Sequence, residues 1–185
     1  MKSRNLIYLY PLFYFFAVYI SAVDEKVDNS VQIQSMLAVL YTQSSAEYDA
    51  NNIQTYAGAK LALDKALAKK NWTAAIEQEG NFSEKPPAVI LDIDETVLNN
   101  IPFQARAIIK GESYPNGWVD WMLEEASTSV AGAKDFLDYA KNKGVKVFYV
   151  TNRVGIAEEA TRNNLKKLNL PLDTDRDVLL MRNEN

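Results

Sequence analysis

VILDIDETVL, residues 89–98, is the stretch that decides the fold. Its first residues form a short apolar segment, which is typical of a buried β-strand, and two carboxylates one residue apart follow it. Side chains alternate between the two faces of a strand, so Asp92 and Asp94 point to the same side if the backbone is still extended there. By itself, an Asp-x-Asp pair is more often a polar loop than a site. At the carboxyl end of a buried strand it also suits a divalent cation and a phosphoryl group.

A second apolar segment, VKVFYV over residues 145–150, predicts another buried strand. It follows a helical stretch that Gly144 ends, as expected for a βαβ unit in a parallel sheet. Thr151, Asn152 and Arg153 come directly after it.

Composition limits the chemistry. The chain has 185 residues, of which 48% are hydrophobic, and this predicts one domain with a helical extension. It has no histidine and no cysteine, which excludes His-based hydrolases and phosphatases, thiol nucleophiles and disulfides. The net charge of −4, without a basic stripe, makes the protein a poor nucleic-acid binder. Catalysis would therefore depend on carboxylates, hydroxyls and a hard cation.

The N-terminus is typical of an export signal over residues 1–22. Lys2 and Arg4 precede an apolar run from Leu6 to Ile20, and Ser21-Ala22 offers small residues for cleavage. The run is shorter than the roughly 20 residues that span a bilayer. We therefore expect an exported protein, periplasmic or secreted, with an uncleaved membrane anchor as the alternative.

Residues 31–80 have a helical pattern, with a break or a kink predicted at Asn51-Asn52 and a short further helix over Ala74–Gln78. The Gly80–Pro87 linker then leads into the domain at 86–185.

An insert at 99–130 is rich in aromatic residues, and Gly111 and Tyr114–Gly117 divide it into two predicted helices. These aromatic side chains either form a stacking wall for a substrate such as a nucleotide base or belong to the core. Core packing is favoured for Trp121, and both interpretations stay open for Phe103 and Trp118.

The motifs resemble those of class C bacterial acid phosphatases in the haloacid dehalogenase superfamily. This is the outer-membrane lipoprotein e group of nonspecific phosphatases and 5′-nucleotidases. The helical leader, the Asp-x-Asp-Glu-Thr strand, the Trp118-x-x-Trp121 insert and the strand ending in Thr151-Asn152-Arg153 occur in that family's order, over roughly residues 31–181. The resemblance implies an α/β fold with a Rossmann-like parallel sheet of the haloacid dehalogenase type, incomplete here, and an N-terminal helical extension.

The resemblance also implies a Mg²⁺-dependent phosphatase whose substrate is a small phosphomonoester such as a nucleoside 5′-monophosphate. Asp92 would be the nucleophile, through a phosphoaspartyl intermediate, and Asp94 the general acid and base. The metal ligands would include the Asp92 carboxylate and the Asp94 backbone carbonyl. Thr151 would donate to a phosphoryl oxygen with help from Asn152. Phe103 and Trp118 would be candidates to stack on a base.

The sequence departs from the family in two respects. Members are usually lipoproteins processed at a cysteine, which this chain lacks. The family pattern also continues past its third strand, here Val178–Met181, to a phosphate-binding lysine and further metal carboxylates, whereas this sequence stops at Asn185. We therefore expect a C-terminally truncated chain with an open edge at the Val89–Leu91 strand and weak or no activity. The alternatives are a noncatalytic remnant that binds phosphate or nucleotides and a module completed by another polypeptide.

Overall fold

The computed structural model describes residues 34–183, which form six α-helices and five β-strands. The helices are α1 (34–44), α2 (Ala46–Leu67), α3 (Ile101–Lys110), α4 (Trp118–Leu123), α5 (Ala133–Asn142) and α6 (Glu158–Lys167). The strands are β1 (Ala88–Leu91), β2 (Leu98–Asn99), β3 (Thr128–Ser129), β4 (Lys146–Val154) and β5 (Leu179–Arg182).

The main sheet is parallel, in the order β1-β4-β5. β4 pairs with β1 from Ala88 opposite Lys146 to Leu91 opposite Tyr149, and Tyr149 in turn lies opposite Leu179 of β5. Parallel neighbours need a crossover connection, and α5 and α6 lie in the connections into β4 and β5. The predicted α/β class with a parallel sheet is thus confirmed. The predicted open edge of β1 is also present within residues 34–183, where β4 is its neighbour in the sheet.

One face of the sheet carries the core. Side chains alternate along β4, so that Val147 and Tyr149 are buried while Val150 is exposed. Leu137 of α5 and Leu165 of α6 belong to the same buried cluster. The sheet and its crossover helices therefore hold the carboxyl ends of β1 and β4 in fixed positions side by side.

The long helix α2 lies over α5. The Tyr56 ring is 5.7 Å from that of Phe136, and the Tyr56 hydroxyl donates to the Thr96 carbonyl oxygen at 2.6 Å. Asp64 accepts hydrogen bonds from Tyr139 and Lys143, both at 2.7 Å. The helical extension thus contacts the loop that carries the two acids.

The predicted break at Asn51-Asn52 is wrong, because α2 is continuous through both residues. The break lies at Ser45, whose hydroxyl accepts the Tyr48 N–H and caps the helix. Asn52 is tolerated inside the helix since its amide donates to the Tyr48 carbonyl oxygen one turn earlier.

The short helix predicted over Ala74–Gln78 is also absent. The Thr73 hydroxyl binds the Ala75 N–H at 3.1 Å and the Gln78 side chain at 2.7 Å. Such local side-chain hydrogen bonds compete with helix formation.

The two helices predicted for the insert are confirmed as α3 and α4. Gly111 ends α3 in the left-handed conformation (φ 68°) and Gly117 precedes α4 with φ 71°. The predicted export signal, residues 1–22, lies outside the described residues. Between residues 34 and 183 the structure contains no helix with the length and apolar character needed to cross a membrane.

Candidate active site

The two acids of the opening motif lie where β1 ends. The turn after β1 is closed by the Ile93 carbonyl oxygen, which accepts the N–H groups of Val97 and Leu98, both at 2.8 Å. Ile93 itself is fully buried. This arrangement fixes the backbone between Asp92 and Asp94, and both carboxylates reach the same pocket at the carboxyl end of the sheet.

That pocket has a volume of about 240 Å³. Asp92 is exposed and lies within 3.4 Å of the Thr96 hydroxyl, which donates to it. Asp94 is half-buried and pairs with the buried Arg153. The lining residues are Asp92, Asp94, Glu95, Gln104, Tyr114, Trp118 and Asn152.

Asn100 lies behind the pocket and is 1% exposed. Its side-chain oxygen accepts hydrogen bonds from Trp121 Nε1 at 2.9 Å and from the Ser127 hydroxyl at 2.7 Å. Its amide nitrogen donates to Asp94 Oδ1 at 2.9 Å. Asn100 therefore links the aromatic insert to the second acid of the motif.

Glu95 is held in an uncommon backbone conformation, with φ of 55°. Its N–H donates to the Leu98 carbonyl oxygen at 2.8 Å, and its carboxylate accepts the Asn100 N–H at 2.7 Å. Although Glu95 is an exposed residue overall, lost hydration of the carboxylate raises its pKa, and the charge of Asp94 adds to the rise. Hydrogen bonds from Asn100 and the charge of Arg153 oppose that shift. Strained backbone of this kind is concentrated at functional sites.

The insert contributes an aromatic wall to the pocket. Trp118 is half-buried, and its ring is in edge contact with Tyr114 at 6.0 Å and with Phe103 at 5.0 Å. Phe103 is 4% exposed and lies behind Trp118, outside the pocket lining. Trp121 is 2% exposed, which confirms core packing for that residue.

Thr151 and Asn152 end the apolar part of β4 with opposite exposure. Asn152 is exposed and lines the pocket. Thr151 is 6% exposed, its hydroxyl accepts the Arg153 N–H at 3.1 Å, and it is not part of the lining. The pocket thus brings together four of the predicted site residues, Asp92, Asp94, Trp118 and Asn152. The roles assigned to all six, Thr151 and Phe103 included, stay predictions.

The oxygen donors at this end of the sheet are of the type that binds Mg²⁺. Mg²⁺ is usually held by one or two carboxylates together with waters and substrate phosphate oxygens. The Asp92 carboxylate and the Asp94 backbone carbonyl are oxygen donors of that type. Across residues 34–183 no three side chains of His, Cys, Asp or Glu form a group able to hold a metal ion.

Sequence reasoning gave no role in this site to Glu95, Asn100, Gln104 and Arg153, and it considered Tyr114 only as one of the insert aromatics. Glu95 and Arg153 stand inside the two quoted motifs, and Tyr114 is one of the insert aromatics, so their positions carried a signal. Asn100 and Gln104 lie in no such motif, because their places in the site depend on contacts between distant parts of the chain.

Comparison with known proteins gives a consistent result. Residues 17–185 match the family model of the HAD superfamily, subfamily IIIB (Acid phosphatase). The structure is similar to that of the class C acid phosphatase from Bacillus anthracis, with 35% sequence identity and a TM-score of 0.71. A second structure of that enzyme, with tungstate bound, gives a TM-score of 0.70 at the same identity. Each match covers 82% of this chain and 59% of the Bacillus chain, so this chain spans less than two thirds of those relatives.

Proposed function

The chain belongs to the acid phosphatases of HAD superfamily subfamily IIIB, and from this membership we propose that it hydrolyses phosphomonoesters with Asp92 as the nucleophile. The observation that carries the proposal is the convergence of Asp92 and Asp94 on one pocket with the exposed Asn152. Asp92 is the more exposed of the two acids and is not paired with Arg153. It is therefore the carboxylate that is free to attack phosphorus.

In the proposed reaction, an Asp92 oxygen bonds to phosphorus while the bond from phosphorus to the leaving alcohol breaks. Asp94 gives its proton to the departing oxygen and then takes a proton from the water that attacks the phosphoaspartate. When bound, Mg²⁺ would neutralise the negative charge of the phosphoryl group. Asn152 donates to a phosphoryl oxygen. Thr151 is the second proposed donor, because its hydroxyl accepts the Arg153 N–H and keeps its own proton to donate.

We extend the proposal to nucleoside 5′-monophosphates as substrates. A pocket lined by the two aspartate carboxylates together with Trp118 and Tyr114 suits a phosphate that is linked through a sugar to a flat base. Aromatic stacking on a base tolerates different bases, which fits a nonspecific enzyme.

Phosphate release by the full chain, with Mg²⁺ and with either p-nitrophenyl phosphate or AMP, tests the proposal. Asp92→Asn is expected to reduce the rate to the background of the uncatalysed reaction. Asp175→Asn, on an exposed loop that does not line the pocket, is the matched control and is expected to keep the wild-type rate.

Two other outcomes are informative. Turnover that survives Asp92→Asn contradicts the proposed nucleophile. Tungstate resembles phosphate and is bound in one of the Bacillus structures, so it serves as a binding probe. Tungstate binding without any wild-type turnover favours the noncatalytic phosphate-binding alternative.

A further inference from the structure

The Asp94 carboxylate is held by one of its two oxygens. Oδ1 accepts from Arg153 Nε at 2.9 Å and is 2.8 Å from Arg153 Nη2. It also accepts from Asn100 Nδ2 at 2.9 Å. The side chain is 23% exposed. Three donors thus converge on Oδ1, while the carboxylate still reaches the pocket.

Arg153 has little freedom to leave this contact. Its side chain is 0% exposed, and a buried guanidinium is tolerated only when it is paired and hydrogen-bonded. Two more of its donors bind the Thr161 hydroxyl and Asn100 Oδ1, both at 3.2 Å. The Trp118 ring lies 5.6 Å from the centre of the guanidinium group.

The surroundings also fix the orientation of the Asn100 amide. Trp121 Nε1 and Arg153 Nη2 can only donate, so the Asn100 oxygen must face them. The amide nitrogen must then face Asp94. Asn100 and Arg153 therefore hydrogen-bond to each other as well as to Asp94 Oδ1.

We propose that Arg153 and Asn100 are positioning residues that hold Asp94 by Oδ1 and leave Oδ2 as the oxygen that exchanges the proton. The inference rests on the proposed function, because it assigns an atom to the proton transfer described there. As the bond from phosphorus to the leaving alcohol breaks, Oδ2–H gives its proton to that alcohol's oxygen. When water attacks phosphorus and the bond from phosphorus to Asp92 breaks, Oδ2 takes a proton from that water and is again protonated.

The test compares kcat/KM for two substrates whose leaving groups differ in their need for a proton. A p-nitrophenolate ion leaves readily without a proton, whereas the alkoxide of glycerol phosphate needs one. Arg153→Lys keeps the positive charge but cannot place two nitrogen atoms against Asp94 Oδ1. Since a well-placed general acid contributes about 10²–10⁴-fold, we expect kcat/KM to fall by roughly 10- to 100-fold for glycerol phosphate and by at most about threefold for p-nitrophenyl phosphate.

Two variants serve as references. Arg162→Lys alters an arginine that pairs with Glu158 and Asp177 away from the pocket, and we expect kcat/KM to stay unchanged for both substrates. Thr161→Val keeps Arg153 and removes one of its partners, and we expect a smaller selective loss. If Arg153→Lys does not fold, Thr161→Val carries the test. An equal fall for both substrates in the folded variant overturns the inference.

A second measurement separates this inference from the proposed function. The denaturant midpoints of Asp94→Asn, Arg153→Lys and the double variant form a cycle that requires no turnover. Non-additive shifts of the midpoint show that the Asp94 and Arg153 side chains interact. This result stands even if the wild type is inactive, in which case only the proposed function fails. Additive shifts overturn the inference even if the enzyme is active.

Discussion

At the residue scale, Trp118 is the side chain through which a nucleotide substrate would be recognised. It lines the pocket beside Tyr114 and lies over Arg153, so its loss would remove stacking area without removing a carboxylate. We predict that Trp118→Leu lowers kcat/KM for AMP by about 5- to 150-fold, since stacking of a base on an aromatic side chain is worth about 1–3 kcal/mol. Steady-state kinetics with AMP and with glycerol phosphate measure the difference. A similar loss for both substrates would contradict the stacking role. Trp72→Leu is the matched control, since Trp72 is exposed and does not line the pocket.

Glu95 gives a second residue-scale prediction, on stability against pH. Lost hydration raises the pKa of this carboxyl above its ordinary value of 4.5, so the folded state binds the proton more tightly than the unfolded state. The charged carboxylate therefore costs stability at neutral pH, and this cost disappears as the pH falls through the raised pKa and below 4.5. We predict that Glu95→Gln is more stable than the wild type at pH 7 and that the difference vanishes near pH 4. Urea denaturation at the two pH values measures it, and a wild type that is the more stable at pH 7 would refute the assignment.

The two acids could be picked out from the sequence because an apolar strand ending in Asp-x-Asp is a local pattern, whereas their roles are implied by the family resemblance and stay predictions. The hydrogen bonds from Asn100 and Arg153 to Asp94 could not be found in the same way. Arg153 is far along the chain from Asp94, and the contact exists because β4 pairs with β1. Likewise, Phe103 and Trp118 looked equivalent in the sequence, and the packing of α3 against α4 put the first behind the second.

At the element scale, the contact of α2 with the start of α5 depends on Gly132. Its φ is 82°, and a Cβ atom there would lie 3.1 Å from Ile53 Cα and 3.2 Å from Tyr56 Cβ. We predict that Gly132→Ala destabilises the fold by about 1–3 kcal/mol, because both the backbone conformation and the close approach of α2 require glycine. Thermal or urea unfolding measures the loss.

Gly58 is the matched control for this substitution. It lies inside α2, and a Cβ there would meet nothing within 4 Å. Gly58→Ala is therefore expected to stabilise the protein by about 0.5–1 kcal/mol, through helix propensity. Equal effects of the two substitutions would show that the close contact between α2 and α5 is not as described.

The elements were predicted well where the signal was local and poorly where side-chain hydrogen bonds decided the outcome. The predicted β1 and β5 agree with the structure to within one residue at each end, and Gly111 and Gly144 marked the ends of α3 and α5. The end of β4 was predicted wrongly, because the strand continues through Thr151, Asn152 and Arg153 to Val154. The error at Asn51-Asn52 arose because asparagine is usually unfavourable inside a helix, whereas Ser45 provided the cap and Asn52 found a partner within the helix.

At the scale of the whole molecule, the sheet has two unlike faces. One face is buried against the helices, whereas Ile90, Val150 and Leu180 on the other are 69%, 44% and 42% exposed within the described part of the chain. The pairing of the strands places these three side chains, with Phe148, on one surface. Parallel sheets are normally covered on both faces, and an exposed apolar surface of this kind favours association.

We predict that concentration-dependent association of the chain decreases in Ile90→Thr, which keeps a β-branched side chain in the strand and reduces the apolar surface. Light scattering across a concentration series measures it. Ile109→Thr is the control, because Ile109 is 85% exposed on α3, outside this sheet face, and is expected to leave association unchanged. An equal response of both variants would contradict a role for the sheet face.

The measurement that tests the account most directly is the location of the transferred phosphoryl group. Asp94→Asn should slow the hydrolysis of the intermediate, so the full chain carrying it is mixed with p-nitrophenyl phosphate and Mg²⁺, quenched in acid and analysed by peptide mass spectrometry. The account predicts phosphate on Asp92, in the peptide that contains residues 89–98, and none when Asp92→Asn is added. Phosphate on another residue, or turnover with Asp92 replaced, would contradict it.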